Sequence, residues 1–102
     1  MGNKIRAKVT KVRDEVVLSA ADESLIGREL REGILHLSVK EDFYGEINVS
    51  EEFLRETMSM CTIGNFVGDL TISIGIDMGL IDPDNIIRID GIPHAQFARM
   101  IR

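Results

Sequence analysis

The chain has 102 residues, a net charge of −5, and 44% apolar and 28% charged residues. This composition is typical of one folded domain and excludes a disordered, collagen-like or disulfide-built chain. Cys61 is the one cysteine, so no intrachain disulfide can form, and no apolar stretch reaches the roughly 18–20 residues of a membrane span. We therefore expect a single cytoplasmic domain over residues 1–102, with no membrane contact and a core of Ile, Leu, Val and Met.

The first half of the chain reads mainly as strands. Apolar and basic residues alternate over residues 5–9, which predicts a half-buried strand. A turn at residues 14–15 separates it from residues 16–18, which we interpret as its hairpin partner. Asp22 is predicted to cap a short helical turn. Alternation over residues 35–39 predicts a third strand.

The clearest helix signal follows Ser50. Residues 43–46 are typical of a turn, and residues 47–49 of a short extended segment. Ser50 is a favourable N-cap, and Glu51 and Glu52 lie in the first turn, where carboxylates favour the helix dipole. Apolar residues then recur at helical spacing as far as Cys61, which predicts an amphipathic helix.

The segment over residues 70–78 fits two patterns. Its apolar residues alternate as in a strand, yet several of them also match helical spacing. Gly79 and Pro83 then resemble the end of a helix. Residues 86–89 predict a short strand, and Pro93 begins another extended segment that runs to the C-terminus.

Four short motifs carry a resemblance to a known family. They are Phe43-Tyr44-Gly45, Asn65-Phe66-Val67-Gly68, Gly79-Leu80-Ile81 and Gly91-Ile92-Pro93-His94-Ala95-Gln96. With them the chain resembles the archaeal conserved proteins known as domain of unknown function 424, over nearly its whole length. Glu46, Phe66 and Asp69 depart from the family pattern, which has Gly, Ile and Glu at these places.

The resemblance implies an archaeal cytosolic protein and a helix over residues 66–79. It also implies a loose connection with translation or ribosome biogenesis, but it carries no activity. The expected fold class is therefore α+β: a small single domain with N-terminal antiparallel strands, two helices and C-terminal strands.

The sharpest functional candidate is the pair His94 and Gln96. On one strand these side chains point to the same side, where an imidazole and a carboxamide can hold a ligand or the backbone of a partner. The competing interpretation is a structural histidine whose ring bonds a nearby carbonyl group.

A second candidate lies at the predicted start of the second helix. Asn65, Gly68 and Asp69 can form an anion site at a helix N-terminus, or Asn65 can be a plain N-cap with Gly68 allowing close packing. Asp69 repels an anion, and the spacing matches no phosphate-binding loop. The two histidines and the lone cysteine lack metal-ligand spacing, so we expect no metal and no cofactor.

The chain ends are basic and the middle is acidic. Residues 1–13 contain no acid, and all 17 acidic residues lie between Asp14 and Asp90. If the two ends are neighbours in the fold, they form a basic patch, although the overall charge does not favour direct nucleic-acid binding.

Three hypotheses follow. The first, which we favour, is a non-catalytic binding module for a protein or ribonucleoprotein partner, acting through His94, Gln96, Arg88 and Arg99 on the C-terminal strands. The second is a small enzyme or small-molecule binder built around His94, Asn65 and Asp69. An acid–base set of Tyr44, Asp90 and His94 is a further catalytic possibility, although nothing in the sequence places these residues together. The third is a homodimer formed through the isoleucine-rich segment 70–81. Catalysis is not favoured, because no nucleophile motif is present.

Overall fold

A six-stranded mixed sheet forms the body of the protein in the computed structural model, which describes residues 4–99. The strands are β1 (Ile5–Val12), β2 (Glu15–Asp22), β3 (Glu29–Glu32), β4 (Leu35–Ser38), β5 (Asn48–Val49), β6 (Ile63–Val67), β7 (Ile87–Ile89) and β8 (Ile92–Ala98). The helices are α1 (Glu41–Tyr44), α2 (Glu51–Met60) and α3 (Asp69–Asp77). The main sheet has the order β5-β1-β2-β6-β8-β7, and β3 and β4 form a separate hairpin. The α+β prediction is confirmed.

Two local hairpins form the outer parts of the main sheet. β1 pairs antiparallel with β2 over all eight residues of each strand, as predicted. β7 pairs with β8 through a two-residue turn in which Asp90 has φ 56° and Gly91 has φ 79°. Positive φ at both positions is the geometry that matches the twist of a tight hairpin, and Asp-Gly adopts it readily. Between the hairpins, β2 and β6 pair in parallel, and β6 and β8 pair antiparallel.

Helices α2 and α3 cover one face of the main sheet, which we call the helical face. Leu18, Phe66 and Ala95 project from the strands into this core and are 0–4% exposed. Leu54 and Met58 of α2 pack against them, together with Ile72 and Ile74 of α3. Ser50 caps α2 by accepting a hydrogen bond from the Phe53 amide at 3.0 Å, as predicted.

The opposite face of the sheet, here the second face, is only partly covered. The β3–β4 hairpin and α1 pack on one end of it and form a second apolar cluster. That cluster contains Ala21, Leu25, Leu30, Val39, Tyr44, Val67 and Ile89. The other end of the second face has no helix or strand over it among residues 4–99. The hairpin strand β3 and the short helix α1 were not predicted.

Helix α3 is shorter than the predicted helix over residues 66–79. Phe66 and Val67 belong to β6, and the helix begins after Gly68, whose φ of 109° breaks the strand. Asn65 is therefore a strand residue, and the prediction that it caps α3 was wrong. The cap comes from Asp22 at the end of β2, which does not cap the following 3-10 turn.

The N-terminal cations are spread along β1, and the last of them lie at the same end of the sheet as Arg99. β1 and β8 run in the same direction, so β1 begins where β8 begins, and Arg99 lies beyond the far end. The guanidinium of Arg6 contacts Glu23 and Glu41, at 3.4 and 3.1 Å. The two ends of the chain therefore approach each other in part, because Lys11 and Arg99 lie in one row across the sheet with β2 and β6 between them. Arg102 lies outside the described residues.

The isoleucine-rich segment behind the dimer hypothesis is mostly internal. Ile72, Ile74 and Ile81 are 3–5% exposed, whereas Ile76 is 36% exposed. The surplus of apolar surface that suggested pairing through this helix is thus largely buried inside the chain. None of the helices within residues 4–99 is long and apolar enough to cross a membrane.

Candidate functional site

A row of polar residues crosses the uncovered half of the second face. Strand register aligns Lys8 with Ser19, Ser19 with Asn65, and Asn65 with Gln96. Neighbouring strands lie about 4.8 Å apart, so the row spans about 14 Å across β1, β2, β6 and β8. We call Lys8, Ser19, Asn65 and Gln96 the polar row. The next row along the strands is Thr10, Val17, Ile63 and Ala98, which makes the polar row a distinct line on this face.

The members of the polar row differ in exposure. Gln96 and Lys8 are exposed at the two ends of the row. Between them, Asn65 is half-buried and Ser19 is buried, with 3% of its surface exposed. The Gln96 carboxamide nitrogen donates a hydrogen bond to Asn65 Oδ1 at 3.1 Å. This bond holds the two amides side by side, with the remaining donors and acceptors directed away from the pair.

Two shallow depressions lie on either side of the row's centre. One is lined by Val17 and Ser19 of the sheet and by Asp42 and Phe43 of α1. The other lies between β6 and β8 and includes Asn65 and Gln96. The Phe43 ring is 46% exposed and meets the Tyr44 ring edge-on, with centroids 4.8 Å apart. The uncovered half-face is therefore a groove with an aromatic side wall.

His94 lies next to the polar row on the same face as Gln96, as period-2 alternation predicts. It pairs with Val67 of β6 and Ile87 of β7, so its ring has apolar neighbours on both sides. Burial lowers the pKa of His94, because the charged imidazolium loses hydration there. Among the described residues, no carbonyl group accepts a hydrogen bond from the imidazole. The prediction of a structural histidine bonded to a carbonyl therefore finds no support in this part of the chain.

The other candidate residues lie elsewhere. Arg88 pairs with Pro93 and so projects toward the helical face, where its guanidinium donates to Gly91 O at 3.4 Å. Arg99 stacks over the Phe97 ring, with 5.2 Å between the guanidinium carbon and the ring centroid. The Arg99 guanidinium also donates to the Ser59 carbonyl oxygen on α2. These two arginines do not share a surface with His94 and Gln96.

Tyr44, Gly68 and Asp69 also lie outside this groove. Tyr44 is 2% exposed in the second cluster, and burial raises the pKa of its phenol. Gly68 is buried beside Asp22, where an added Cβ would lie 2.3 Å from the carboxyl carbon. Asp69 is exposed in the first turn of α3, which packs on the helical face. The convergence of His94, Asn65 and Asp69 that an enzyme site required is not seen.

The comparison with known families matches this chain over most of its length. The model of the family described as "Protein of unknown function (DUF424)" matches residues 10–100. The chain belongs to the DUF424 family. A crystal structure of an uncharacterized conserved protein from Methanopyrus kandleri is similar to this DUF424 chain, with a TM-score of 0.77 and 26% sequence identity. The likeness covers 97% of this chain and 96% of that one. No curated protein matches the chain.

The family resemblance predicted from the four motifs is thus confirmed, and the match includes three residues of the polar row. Ser19, Asn65 and Gln96 lie inside the matched range, whereas Lys8 precedes it. Sequence reasoning proposed Asn65 and Gln96 separately but missed Ser19. The sequence shows only that Ser19 alternates with Leu18 and Ala20 along β2. Its place beside Asn65 depends on the parallel pairing of β2 with β6.

Among residues 4–99, no three His, Cys, Asp or Glu side chains come together as metal ligands. Cys61 is buried at the end of α2, and burial raises the pKa of its thiol, which disfavours the reactive thiolate. His36 is exposed on β4, where its Nε2 lies 2.5 Å from Glu29 Oε1. The groove therefore offers the Asn65 and Gln96 amides, the Lys8 ammonium group and the His94 imidazole, with the Asp42 carboxylate at its α1 side.

Proposed function

We propose that this DUF424 protein is a non-catalytic cytoplasmic binding module that holds a segment of a partner protein in the groove on its second face. The observation that carries the proposal is the polar row, in which the half-buried Asn65 and the exposed Gln96 lie side by side on the sheet, with the Lys8 ammonium group at the α1 end. Asn and Gln carboxamides both donate and accept, as does a serine hydroxyl, and this mixture suits peptide groups and amide side chains. Phe43 and Val17 add apolar surface beside the row.

The chemistry of the groove favours a protein over a nucleic acid as the direct contact. The chain carries a net charge of −5, and Asp42 lines the groove beside Lys8. Nucleic-acid affinity comes largely from neutralising phosphates with several cations, and the groove supplies one ammonium group. The Lys8 ammonium donates to the Asp42 carbonyl oxygen at 2.8 Å, which directs it toward α1. A partner within a ribonucleoprotein fits this proposal if its protein component makes the contact.

Binding is favoured over catalysis because the carboxylate that lines the groove, Asp42, lies at the Lys8 end of the polar row, away from His94 on β8. Burial lowers the pKa of His94 and so favours the neutral imidazole. The residues that pair with His94 on the neighbouring strands are Val67 and Ile87, and neither is acidic. A neutral imidazole beside the amides is suited to accepting or donating one hydrogen bond. His94 is thus the pH-sensitive member of a recognition surface.

The test is a pull-down from native extract with four purified proteins. The wild type is compared with the double variant Asn65→Ala/Gln96→Ala and with His94→Ala. The control is Glu56→Ala, at an exposed position on α2. We expect one partner that wild type and Glu56→Ala retain and that the double variant loses, before and after ribonuclease treatment. His94→Ala should weaken this capture.

Folding of each variant is checked by circular dichroism and by its urea midpoint. Exposed polar substitutions such as Gln96→Ala change stability by about 0.5 kcal/mol or less, so a folded double variant is expected. A partner captured equally by the wild type and by a folded double variant would contradict the proposal. A partner lost on ribonuclease treatment would assign the contact to RNA instead.

A further inference from the structure

The outer edge of β1 is unpaired along most of the strand. On one side β1 pairs with β2 over its full length, but on the other side only Ile5 and Arg6 pair with β5. In an antiparallel ladder, every second residue directs its N–H and C=O away from its partner strand. The Glu23 amide donates to the Lys4 carbonyl oxygen at 2.8 Å, so the even-numbered residues bond toward β2. The main-chain groups of the odd-numbered residues therefore point to the free edge.

The covering of this edge ends at Ala7. The loop after α1 lies against it, since a Cβ added at Gly45 would be 2.6 Å from the Ala7 carbonyl oxygen. Beyond that point Val9 and Lys11 present unpaired main-chain donors and acceptors to solvent. Residues Lys8 to Val12, here the free edge, contain no proline, and the register with β2 has no bulge. Pro and bulges are two of the devices that block an edge from pairing.

The side chains along the free edge combine apolar surface with positive charge. Val9 is 44% exposed and Val12 is 50% exposed, on opposite faces of the strand. Within residues 4–99, no carboxylate forms an ion pair with Lys8, Lys11 or the neighbouring Arg13. Pairing of this edge with the same edge of a second copy would bring two sets of these cations together. The charge pattern therefore fits an acidic partner and opposes self-association.

We infer that the free edge of β1 accepts an extended acidic segment of another protein as an added antiparallel strand. Main-chain hydrogen bonds to Val9 and Lys11 provide the affinity, and the side chains of the free edge determine which partner sequences bind. Directly opposite residues lie on the same face of a sheet, so acidic residues belong opposite Lys8 and Lys11. Apolar residues belong opposite Val9 and Val12. The partner sequence that satisfies all positions in antiparallel order is Val-Glu-Thr-Val-Glu. This inference shares Lys8 with the polar row and is otherwise independent of it.

The probe is a blocked peptide with the sequence Ser-Gly-Val-Glu-Thr-Val-Glu-Gly-Ser, titrated into the full chain at low salt and followed by NMR. We expect the amides of Val9 and Lys11 to gain exchange protection and the affinity to fall as salt is raised. The variant Lys11→Glu should bind about tenfold more weakly, because one attraction becomes a repulsion of like charges. Glu56→Ala, an exposed residue on α2, should bind as the wild type does.

Three controls make the result decisive. A peptide with the same charges but with N-methylated amides should not bind, because it lacks the main-chain donors. Equal binding by that peptide, or no binding of the unmodified one at low salt, would overturn the inference. So would a sedimentation dimer with Val9 and Lys11 already protected, which would assign the edge to a second copy. The same protection produced by oligouridylate would assign it to phosphate groups.

Discussion

Replacing Asp22 with alanine should destabilise the protein more than any other single substitution of an acidic residue within residues 4–99. The Asp22 carboxylate extends from the end of β2 to the N-terminus of α3. It accepts hydrogen bonds from the amides of Leu70 at 3.0 Å and Thr71 at 2.8 Å, and from the Thr71 hydroxyl at 2.8 Å. Thr71 is fully buried in the native protein, so its hydroxyl has no ready substitute for the lost carboxylate.

The expected cost is about 3 kcal/mol. Loss of an N-cap side chain costs about 0.5–2 kcal/mol. Leaving a buried donor such as the Thr71 hydroxyl unsatisfied adds about 1–3 kcal/mol. Asp22→Asn keeps one oxygen acceptor but places an NH₂ group against another donor and removes the charge, so about half of the full cost is expected.

Urea unfolding followed by circular dichroism measures this effect. With a urea m-value of about 1–2 kcal/mol/M for a small domain, a loss of 3 kcal/mol lowers the midpoint by about 1.5–3 M. The matched control is Asp82→Ala, since Asp82 caps an exposed 3-10 turn by accepting from the Asp84 amide at 2.9 Å. That variant should lose about 0.5–1 kcal/mol. An Asp22→Ala protein that is no less stable than Asp82→Ala would refute the assignment of Asp22 as the cap of α3.

Three further predictions use the same assay. Gly64→Ala should cost about 1–3 kcal/mol, because the new methyl would lie 2.4 Å from the Phe66 ring and the core must shift. Arg6→Ala should cost a similar amount, since its guanidinium, 15% exposed, bonds both Glu41 at 3.1 Å and main-chain and amide oxygens nearby. Because burial lowers the pKa of His94, the unfolded chain binds more protons than the native one below about pH 6.5. The wild type should therefore lose stability as the pH falls from about 6.5 through the lowered pKa, and His94→Gln should lose less over that range in parallel urea titrations.

The parts of the fold that depend on neighbouring residues could be predicted from the sequence. The β1–β2 hairpin follows from alternation with a turn between the strands. Helix α2 follows from Ser50 and the spacing after it, and the β7–β8 hairpin follows from Asp90-Gly91. Each of these signals is complete within about a dozen residues. Local chemistry therefore determined these elements without reference to the rest of the chain.

The start of α3 could not be predicted, because its determinants are not local. Phe66 and Val67 are apolar and fit both a strand end and a helix beginning. The residue that decides between them is Asp22, which lies far earlier in the chain and meets α3 only after β2 and β6 have paired. The alternation of β2 places Asp22 on the helical face, where α3 begins, and not toward the 3-10 turn that follows it.

The candidate site divides in the same way. Period-2 alternation was enough to place His94 and Gln96 on one side of β8. The contact of Gln96 with Asn65 required the β6–β8 register, and Ser19 required the parallel β2–β6 pairing, which no short-range pattern encodes. Arg88 was misplaced because a strand residue on a neighbouring hairpin arm can face either side, and its pairing with Pro93 turns it to the helical face.

The length of the covering hairpin explains why the groove exists at all. β3 and β4 have four residues each, a span of about 13 Å, whereas β1 and β2 have eight residues each and are about twice as long. The hairpin contacts β7 and α1 contacts β1 and β2, so these two short elements together cover the Ala21 and Val67 positions. At the edge of this cover the residues change from apolar to polar, from Ala21 to Ser19 on β2 and from Val67 to Asn65 on β6. Ser19 is still buried and Asn65 is half-buried, so the change to polar residues begins under the edge of the cover and continues to the exposed Gln96 on β8. Two strands that are far apart in the chain therefore change from apolar to polar at the same level of the sheet.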